Sequence, residues 1–335
     1  MLTAEQILAT SKPEKLFSSL AAVSSEFKSL MKQWHPDFSK DPKANEVSAH
    51  INDLFRQAQA KIKNHAWEVP GVRNFTFLDG TQHSINFYRS KEFELGEMFY
   101  HEKELFYEVR NDYADLVLTA QKIVKLLNYK IGPDLYSPKM PNHIFPHILG
   151  NEEFKGGKYV CLTMKKEDEW HLPDLLKIKG PLEAKHVAWI INRVYNIICY
   201  LYRHGINHNA ICVENFFISP ERHALQLYGG WWYSQNDGSQ ILALPATRSN
   251  WYPPELLQTK KSTVALDLKM VKVMGLELLG KDAPEPMLAF LRAKPSNDPV
   301  KDYLEWDTKV LPASFAERRF AKLDYNPSDI LNLEK

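Results

Sequence analysis

The sequence predicts an α+β chain in two parts: a small N-terminal all-α module, built as an antiparallel helical hairpin, and a larger module mixing strands and helices. Two apolar stripes of period 3.6 flank a proline-stopped loop near the N-terminus, which predicts the hairpin. Residues 81–165 read as short strand-like runs with one helix around Tyr113–Leu127, and from about 172 the chain turns mostly helical. A chain of 335 residues is also too long for one small core and fits two domains, or one small domain plus a two-lobed one. The expected boundaries are 1–65 for the hairpin module, 66–80 for a linker and 81–335 for the large module, whose two parts are about 81–165 and 166–335.

Composition narrows the class. An apolar fraction of 44% with 12% aromatic residues predicts packed domains rather than disorder. A net charge of +1 gives no electrostatic case for nucleic acid or an anionic membrane. Cys161, Cys199 and Cys212 form no C-x-x-C pair, which fits a reducing compartment and argues against a disulfide framework or a cysteine-based zinc site. The opening MLTAEQILAT lacks a basic stretch followed by an apolar core, so no signal peptide is expected. The most apolar stretch, Ile190–Tyr202, is interrupted by Asn192, Arg193 and Asn196 and is too short to span a bilayer. The expectation is a cytoplasmic soluble protein.

In the first module, Thr3 and Gln6 predict a capping box opening a short helix. A second helix runs to about Trp34, with Val23, Phe27, Leu30, Met31 and Trp34 on one stripe. Lys28 and Lys32 are i,i+4 neighbours off that stripe, a solvent-facing basic pair. Pro36 disfavours helix at His35 and ends the run. Asp41-Pro42 predicts an N-cap and first helical residue for a third helix, whose stripe is Val47, Ile51, Leu54, Phe55, Ala58 and Ile62.

The loop between these helices contains His35-Pro36-Asp37. With EFKSLMKQWHPDF before and through it and KANEVSAHINDLFRQAQAKI after it, the segment 1–65 resembles a J domain. That resemblance implies that His35, Pro36, Asp37, Lys28 and Lys32 engage a DnaK-type chaperone and stimulate its ATPase. Gln33 departs from the basic residue often found there. Without the tripeptide, Lys28 and Lys32 would read as a solvated helix face. No Gly/Phe-rich or cysteine-rich zinc module follows, so the chain looks like a specialised J protein whose remaining residues choose the partner.

In the large module, Val187, Ile190, Ile191, Val194, Ile198 and Leu201 predict a long buried helix. After it come His204-Gly205-Ile206, His208-Asn209-Ala210, Glu214-Asn215 and Phe216-Phe217-Ile218. This run resembles the protein-kinase catalytic loop H-R-D-L-x-x-x-N. Tyr228-Gly229-Gly230 falls at the interval of the D-F-G segment. Trp251-Tyr252-Pro253-Pro254-Glu255 resembles A-P-E, Asp267 matches the buried aspartate of the following helix, and Tyr325-Asn326-Pro327-Ser328 resembles R-P-S. The resemblance, over 81–335, implies a two-lobed protein-kinase-like fold.

It also implies that the chemistry is gone. Ala210 stands where a carboxylate accepts the hydroxyl proton, Tyr228 where an aspartate holds magnesium, and Cys212 where a lysine meets the phosphate. Asn215 is retained, but one neutral amide cannot hold Mg²⁺, and its bland reading is a loop brace. His208 and Asp267 are retained as architectural residues. Only Gly96 remains of a glycine-rich loop near FELGEMFYHE, and Arg110 is the nearest substitute for the ATP-binding lysine. The segment Ala120-Gln121-Lys122 offers no pairing acid, and Asn326 replaces the arginine that would pair with Glu255. The resemblance therefore implies a pseudokinase with no catalytic residues and no cofactor. Nucleotide binding without magnesium is conceivable through pocket shape and hinge backbone bonds but is not expected.

Weaker signals complete the reading. Residues Lys165 to Glu169 read as a solvated charged turn, and Trp231-Trp232-Tyr233 as core that could alternatively plug the cleft or dock a partner. His143 and His147 lack a third ligand, so no metal is expected. The leading expectation is an adaptor that recruits a DnaK-type chaperone to a protein partner or client. One alternative is an atypical kinase-fold, nucleotide-dependent transferase using a displaced carboxylate such as Asp237. Another is a viral or mobile-element factor diverting the host chaperone.

Overall fold

Spatial proximity along the chain sorts it into two compact units, Met1–Phe87 and Tyr88–Lys335. A computed structural model describes residues 2–17, 22–63, 71–76, 79–101, 103–130, 148–153, 159–317, 322–331 and 333. His143 and His147 lie outside these residues, as does much of the expected linker. Helix and sheet are both substantial, so the chain is α+β.

The first unit contains α1 (Ala4–Leu8), α2 (Pro13–Leu16), α3 (Val23–Trp34), α4 (Ala44–Lys63) and a hairpin of β1 (Val72–Thr76) with β2 (Gln82–Asn86). Each boundary has a local cause. Thr3 and Gln6 form a reciprocal capping box at α1, with Thr3 N donating to Gln6 Oε1 at 2.9 Å. His35, preceding Pro36, turns extended (ψ 135°) and stops α3. Asp41 Oδ1 accepts from Lys43 N at 2.8 Å, capping a tight turn that leads into α4. The regular helix thus begins at Ala44, slightly later than the Asp41-Pro42 pair predicts.

The two stripes then close on each other. Val23, Trp34, Val47, Ile51, Leu54 and Ala58 are buried together with Ile7 and Phe17, and Phe27 stacks on Phe55 at 3.8 Å. The short helix α2 was not predicted from the sequence. It exists because Pro13 suits a first turn and Leu16 reaches the shared core, while Glu14 pairs with Lys61 of α4 at 2.6 Å.

The second unit opens with an antiparallel sheet in the order β3-β4-β5-β7-β6. Its strands are β3 (Arg89–Phe93), β4 (Gly96–Tyr100), β5 (Glu104–Val109), β6 (Ile148–Glu153) and β7 (Tyr159–Met164). Helix α5 (Ala114–Lys130) joins β5 to β6 and buries Val117, Ala120, Val124 and Leu127. Gly96 is required by the sheet itself. A Cβ there would lie 1.9 Å from the Glu108 carbonyl oxygen, a distance no side chain tolerates.

Short β8 (Trp170–His171) leads into α6 (Leu172–Lys179) and α7 (Ala184–Arg203). The α7 stripe predicted from Val187 to Leu201 is fully buried. After α7 come β9 (Ile206–Asn207), β10 (Phe216–Ser219), β11 (Ala224–Leu227) and β12 (Gln235–Asn236), which pair as the antiparallel sets β11-β10-β8 and β12-β9. Helices α8 (Pro254–Thr259), α9 (Val264–Leu278), α10 (Glu285–Arg292), α11 (Pro299–Glu305), α12 (Leu311–Ser314) and α13 (Pro327–Leu331) follow. Among the described residues no helix is long and apolar enough to cross a membrane.

Ile51 is fully buried where α4 meets the rest of the first unit. Replacing it with alanine should cost about 2–5 kcal/mol, a large share of what so small a core supplies. Urea unfolding followed by proteolysis should show Met1–Phe87 opening first in Ile51→Ala, with the second unit's transition unmoved.

Candidate functional site

Two places concentrate the residues singled out from the sequence, one in each unit. In the first unit, His35, Pro36 and Asp37 form the loop that leaves α3. The turn is fixed from within: Phe38 N and Ser39 N both donate to His35 O, at 2.9 and 2.8 Å, and Asp37 N donates to His35 Nδ1 at 3.2 Å. The side chains are nonetheless presented outward, His35 at 39% and Asp37 at 76% exposure. Lys28 and Lys32 are exposed on α3 just before the loop. Phe38 follows with its ring exposed. The five residues expected from the sequence to contact a chaperone are thus near one another in sequence and solvent-accessible, Lys28 and Lys32 on α3 and His35, Pro36 and Asp37 on a turn whose backbone is bonded in place.

In the second unit the loop after β9 is organised by one buried carboxylate. Asp267, in the first turn of α9, accepts from the backbone N–H of His208 and of Asn209, both at 2.7 Å. Asn209 adopts φ +60°, a left-handed conformation that asparagine tolerates. Its side chain donates to Tyr233 O at 3.0 Å and exchanges hydrogen bonds with Ser262. The His208 ring reaches the Gly229 carbonyl at 3.1 Å and meets the edge of Trp231.

Asn215 donates from Nδ2 to Ala210 O at 2.8 Å, so its amide braces the same loop. Gly229 and Gly230 lie against it. Gly230 has φ +77°, and an added Cβ would come within 2.7 Å of both Asn215 and His208. Ala210 and Cys212 are buried, and burial pushes the Cys212 thiol well up, which keeps it protonated and unreactive. Tyr228 turns its hydroxyl to Glu169 Oε2, at 2.7 Å. Glu255 is exposed at the start of α8, and Asn326 bonds Asp329 instead.

Beside this loop is a cavity of about 200 Å³. Its apolar wall is Phe93, Met98, Tyr107, Trp232, Tyr233 and Pro245, and Cys212 and Asn215 also line it. Trp232 packs against Phe93 at 5.1 Å and Tyr107 at 5.2 Å, so the Trp231–Tyr233 segment is core that also walls this space. The turn between β3 and β4 closes one side through Glu94. That carboxylate accepts from the Tyr233 hydroxyl and from Thr247 N, the latter at 2.8 Å. Burial and the Glu94 bond push the Tyr233 pKa up.

Several residues named from the sequence do not reach this cavity. Arg110 lies beyond β5, donates to Glu94 O at 2.5 Å and covers the Tyr113 ring. Asp237 accepts from Asn207 Nδ2 at 2.9 Å and is not among the lining residues. The β5 side chain that does line the cavity is Tyr107, and neither Tyr107 nor Glu94 was singled out from the sequence. Alternation of buried residues along β5 gave no signal, because Leu105 to Val109 are all buried.

The turn expected to be solvated, from Lys165 to Glu169, is half buried. Lys166 and Glu167 are exposed as expected, but Glu169 is fully buried. It takes hydrogen bonds from Tyr228, Arg222 and Lys166 N, which supply the compensation a buried carboxylate requires. On the other side of the lining His171, Arg89 and Asp174 form a second buried polar group. Arg89 is 2.7 Å from Asp174, and His171 bridges the Tyr100 hydroxyl and Glu214 O. Burial works against the Asp174 charge, but His171 and Arg89 hold its pKa below the usual value. Among the described residues no cluster of three or more His, Cys, Asp or Glu side chains could hold a metal ion.

The buried pair at the loop has a pH signature. Burial drives the His208 pKa from 6.5 down to about 3, and pushes Asp267 from 3.8 up to about 7 against its two N–H donors. Below pH 6.5 the unfolded chain takes up a proton on this histidine that the folded chain refuses, so His208 lowers stability as pH falls. Asp267 does the reverse between pH 7 and 3.8, because the folded form keeps its proton and the unfolded form does not. Each slope is about 1.4 kcal/mol per pH unit, and they offset. His208→Gln removes one of them. Relative to wild type, its second unit should gain about 1.4 kcal/mol for each unit of acidification from pH 6.5 to 4.5, read by urea titration. A difference that stays constant with pH would contradict this.

No protein-family model matches the chain, and no curated protein matches it.

Proposed function

We propose that the chain is a specialised co-chaperone or adaptor. Residues 1–65 of its first unit act as a J domain, recruiting and stimulating a DnaK-type chaperone through His35, Pro36, Asp37, Lys28 and Lys32. Its second unit is a kinase-like module without catalytic groups that binds a protein partner or client. The proposed setting is the cytoplasm.

The observation that carries this reading is the His35 loop. A histidine and an aspartate are held outward on a turn bonded at Phe38 N, Ser39 N and Asp37 N, beside two exposed lysines. None of these five side chains belongs to the apolar core of the first unit, so core packing does not account for them. Preordered exposed groups of this kind suit contact with another protein, where lost side-chain freedom is a main cost of binding. The basic pair calls for an acidic surface on that protein.

Support for a non-catalytic second unit is chemical. Phosphoryl transfer needs a carboxylate at the attacking hydroxyl and acidic ligands for magnesium. At those aligned positions stand Ala210 and a Tyr228 whose hydroxyl is spent on Glu169. Asp237, the carboxylate a transferase would recruit, is bonded to Asn207 instead.

The test is steady-state ATP turnover of a DnaK-type chaperone with the full chain. Wild type should accelerate hydrolysis and His35→Gln should not, with thermal unfolding of the two chains alike. Lys28→Glu combined with Lys32→Glu should weaken the effect most at low salt. Equal stimulation by wild type and His35→Gln, or none by either, would overturn the reading.

A further inference from the structure

The cavity of the second unit carries an unbalanced charge that neither its fold nor the proposed adaptor role explains. Its lining includes Lys91, Glu92, Glu94 and Glu214. Glu214 is neutralised by Arg248, which also faces Glu277 at 3.3 Å. Lys91 and the solvent-exposed Glu92 are charges of opposite sign, adjacent in the chain. His171, the remaining titratable group with a basic nitrogen in the lining, has both ring nitrogens engaged.

That leaves Glu94. The Glu94 carboxylate receives hydrogen bonds only from neutral donors, the Tyr233 hydroxyl and Thr247 N, while Arg110 donates to the Glu94 backbone carbonyl. Among the described residues Glu94 has no cationic partner on its carboxylate. The Glu94 charge stands beside Phe93, Tyr107, Trp232 and Tyr233, whose ring faces carry negative potential. An anion such as a nucleotide phosphate is repelled here. A cation with an apolar body is attracted by both the carboxylate and the rings.

We propose that this cavity binds a small organic ammonium ion, with Glu94 supplying the charge and the Phe93–Tyr107–Trp232 wall the apolar and π contact. A volume of about 200 Å³ suits an ion of under about ten heavy atoms. This site does not depend on the chaperone reading, because no residue of the first unit takes part.

The experiment is isothermal titration of the full chain with choline chloride, its neutral carbon isostere 3,3-dimethyl-1-butanol, and ADP. The isostere matches shape and removes charge. Choline should bind saturably and at least about tenfold tighter than the isostere, and ADP should not bind. Glu94→Gln keeps a hydrogen-bond acceptor for Thr247 N and removes the charge. It should abolish the preference for choline while circular dichroism and thermal unfolding stay near wild type. Phe93→Leu, a second variant on the same wall, should weaken choline more than the isostere. A trimethyl-lysine peptide run beside choline tests the source of the ammonium group. Tighter binding of choline supports a free ion, and tighter binding of the peptide overturns it. Equal binding of choline and isostere, an unchanged preference in Glu94→Gln, or no saturable binding of choline would each overturn the proposal.

Discussion

The second unit depends on the Asp267 carboxylate and the two backbone N–H groups that point at it. A loop that leaves β9, places Asn209 in the left-handed region and then buries Ala210, Ile211 and Cys212 has amides that water cannot reach. Unpaired, each would cost about 1–3 kcal/mol. Asp267 satisfies two of them from the first turn of α9, and in doing so fixes the loop to the helical core. From that anchor the rest follows. His208 reaches Gly229, Asn215 fills the space that Gly229 and Gly230 leave open, and Asn209 holds Tyr233 O. The Trp231–Tyr233 segment is thereby placed on the cavity.

What that anchoring supports is a pocket of unusual polarity. The turn between β3 and β4 bends over the cavity and is held there by Glu94, through Tyr233 and Thr247 N. A partly open, largely aromatic space with an acidic edge follows from ordinary packing plus one carboxylate placed where the turn meets the loop. The polar residues at its edges are mutually satisfied. Tyr228 joins Glu169, Arg222 bridges Glu169 and Asp168, and Arg89 faces Asp174. Buried charges are tolerated because each has a partner, and breaking one partner is costlier than removing both.

Much of this was legible in the sequence, for identifiable reasons. Stripes of period 3.6 gave α3, α4 and α7, and proline gave the end of α3, because both signals are local. The spacing from His208 through Asn215 and Asp267 drew attention to the residues that the structure joins by hydrogen bonds. Helix α2 was missed because four residues give no period, and its formation rests on Glu14 meeting Lys61 far along the chain. Burial of Glu169 was missed because a charged run reads as solvated unless Tyr228 and Arg222 are known to converge on it. Glu94 and Tyr107 were missed for the same reason: neither is unusual in its own segment. Their importance comes from non-local neighbours, Tyr233 for one and Trp232 for the other.

The two units differ in how stability and function relate. In the second, the residues that shape the cavity are also those that satisfy buried amides and pack the core, so most substitutions there act on both at once. Asn215 and Asp267 illustrate this, since removing either strands a buried group. The His35 loop is the opposite case. Two of the three bonds of its turn run to His35 O and survive replacement of the side chain, the third being Asp37 N to His35 Nδ1, and Asp37 is mostly exposed. Exposed positions of this kind change stability by roughly 0.5 kcal/mol or less when substituted. An effect of His35 or Asp37 on a partner can therefore be read without a change in fold, which makes the small unit the place where recognition can be isolated from folding.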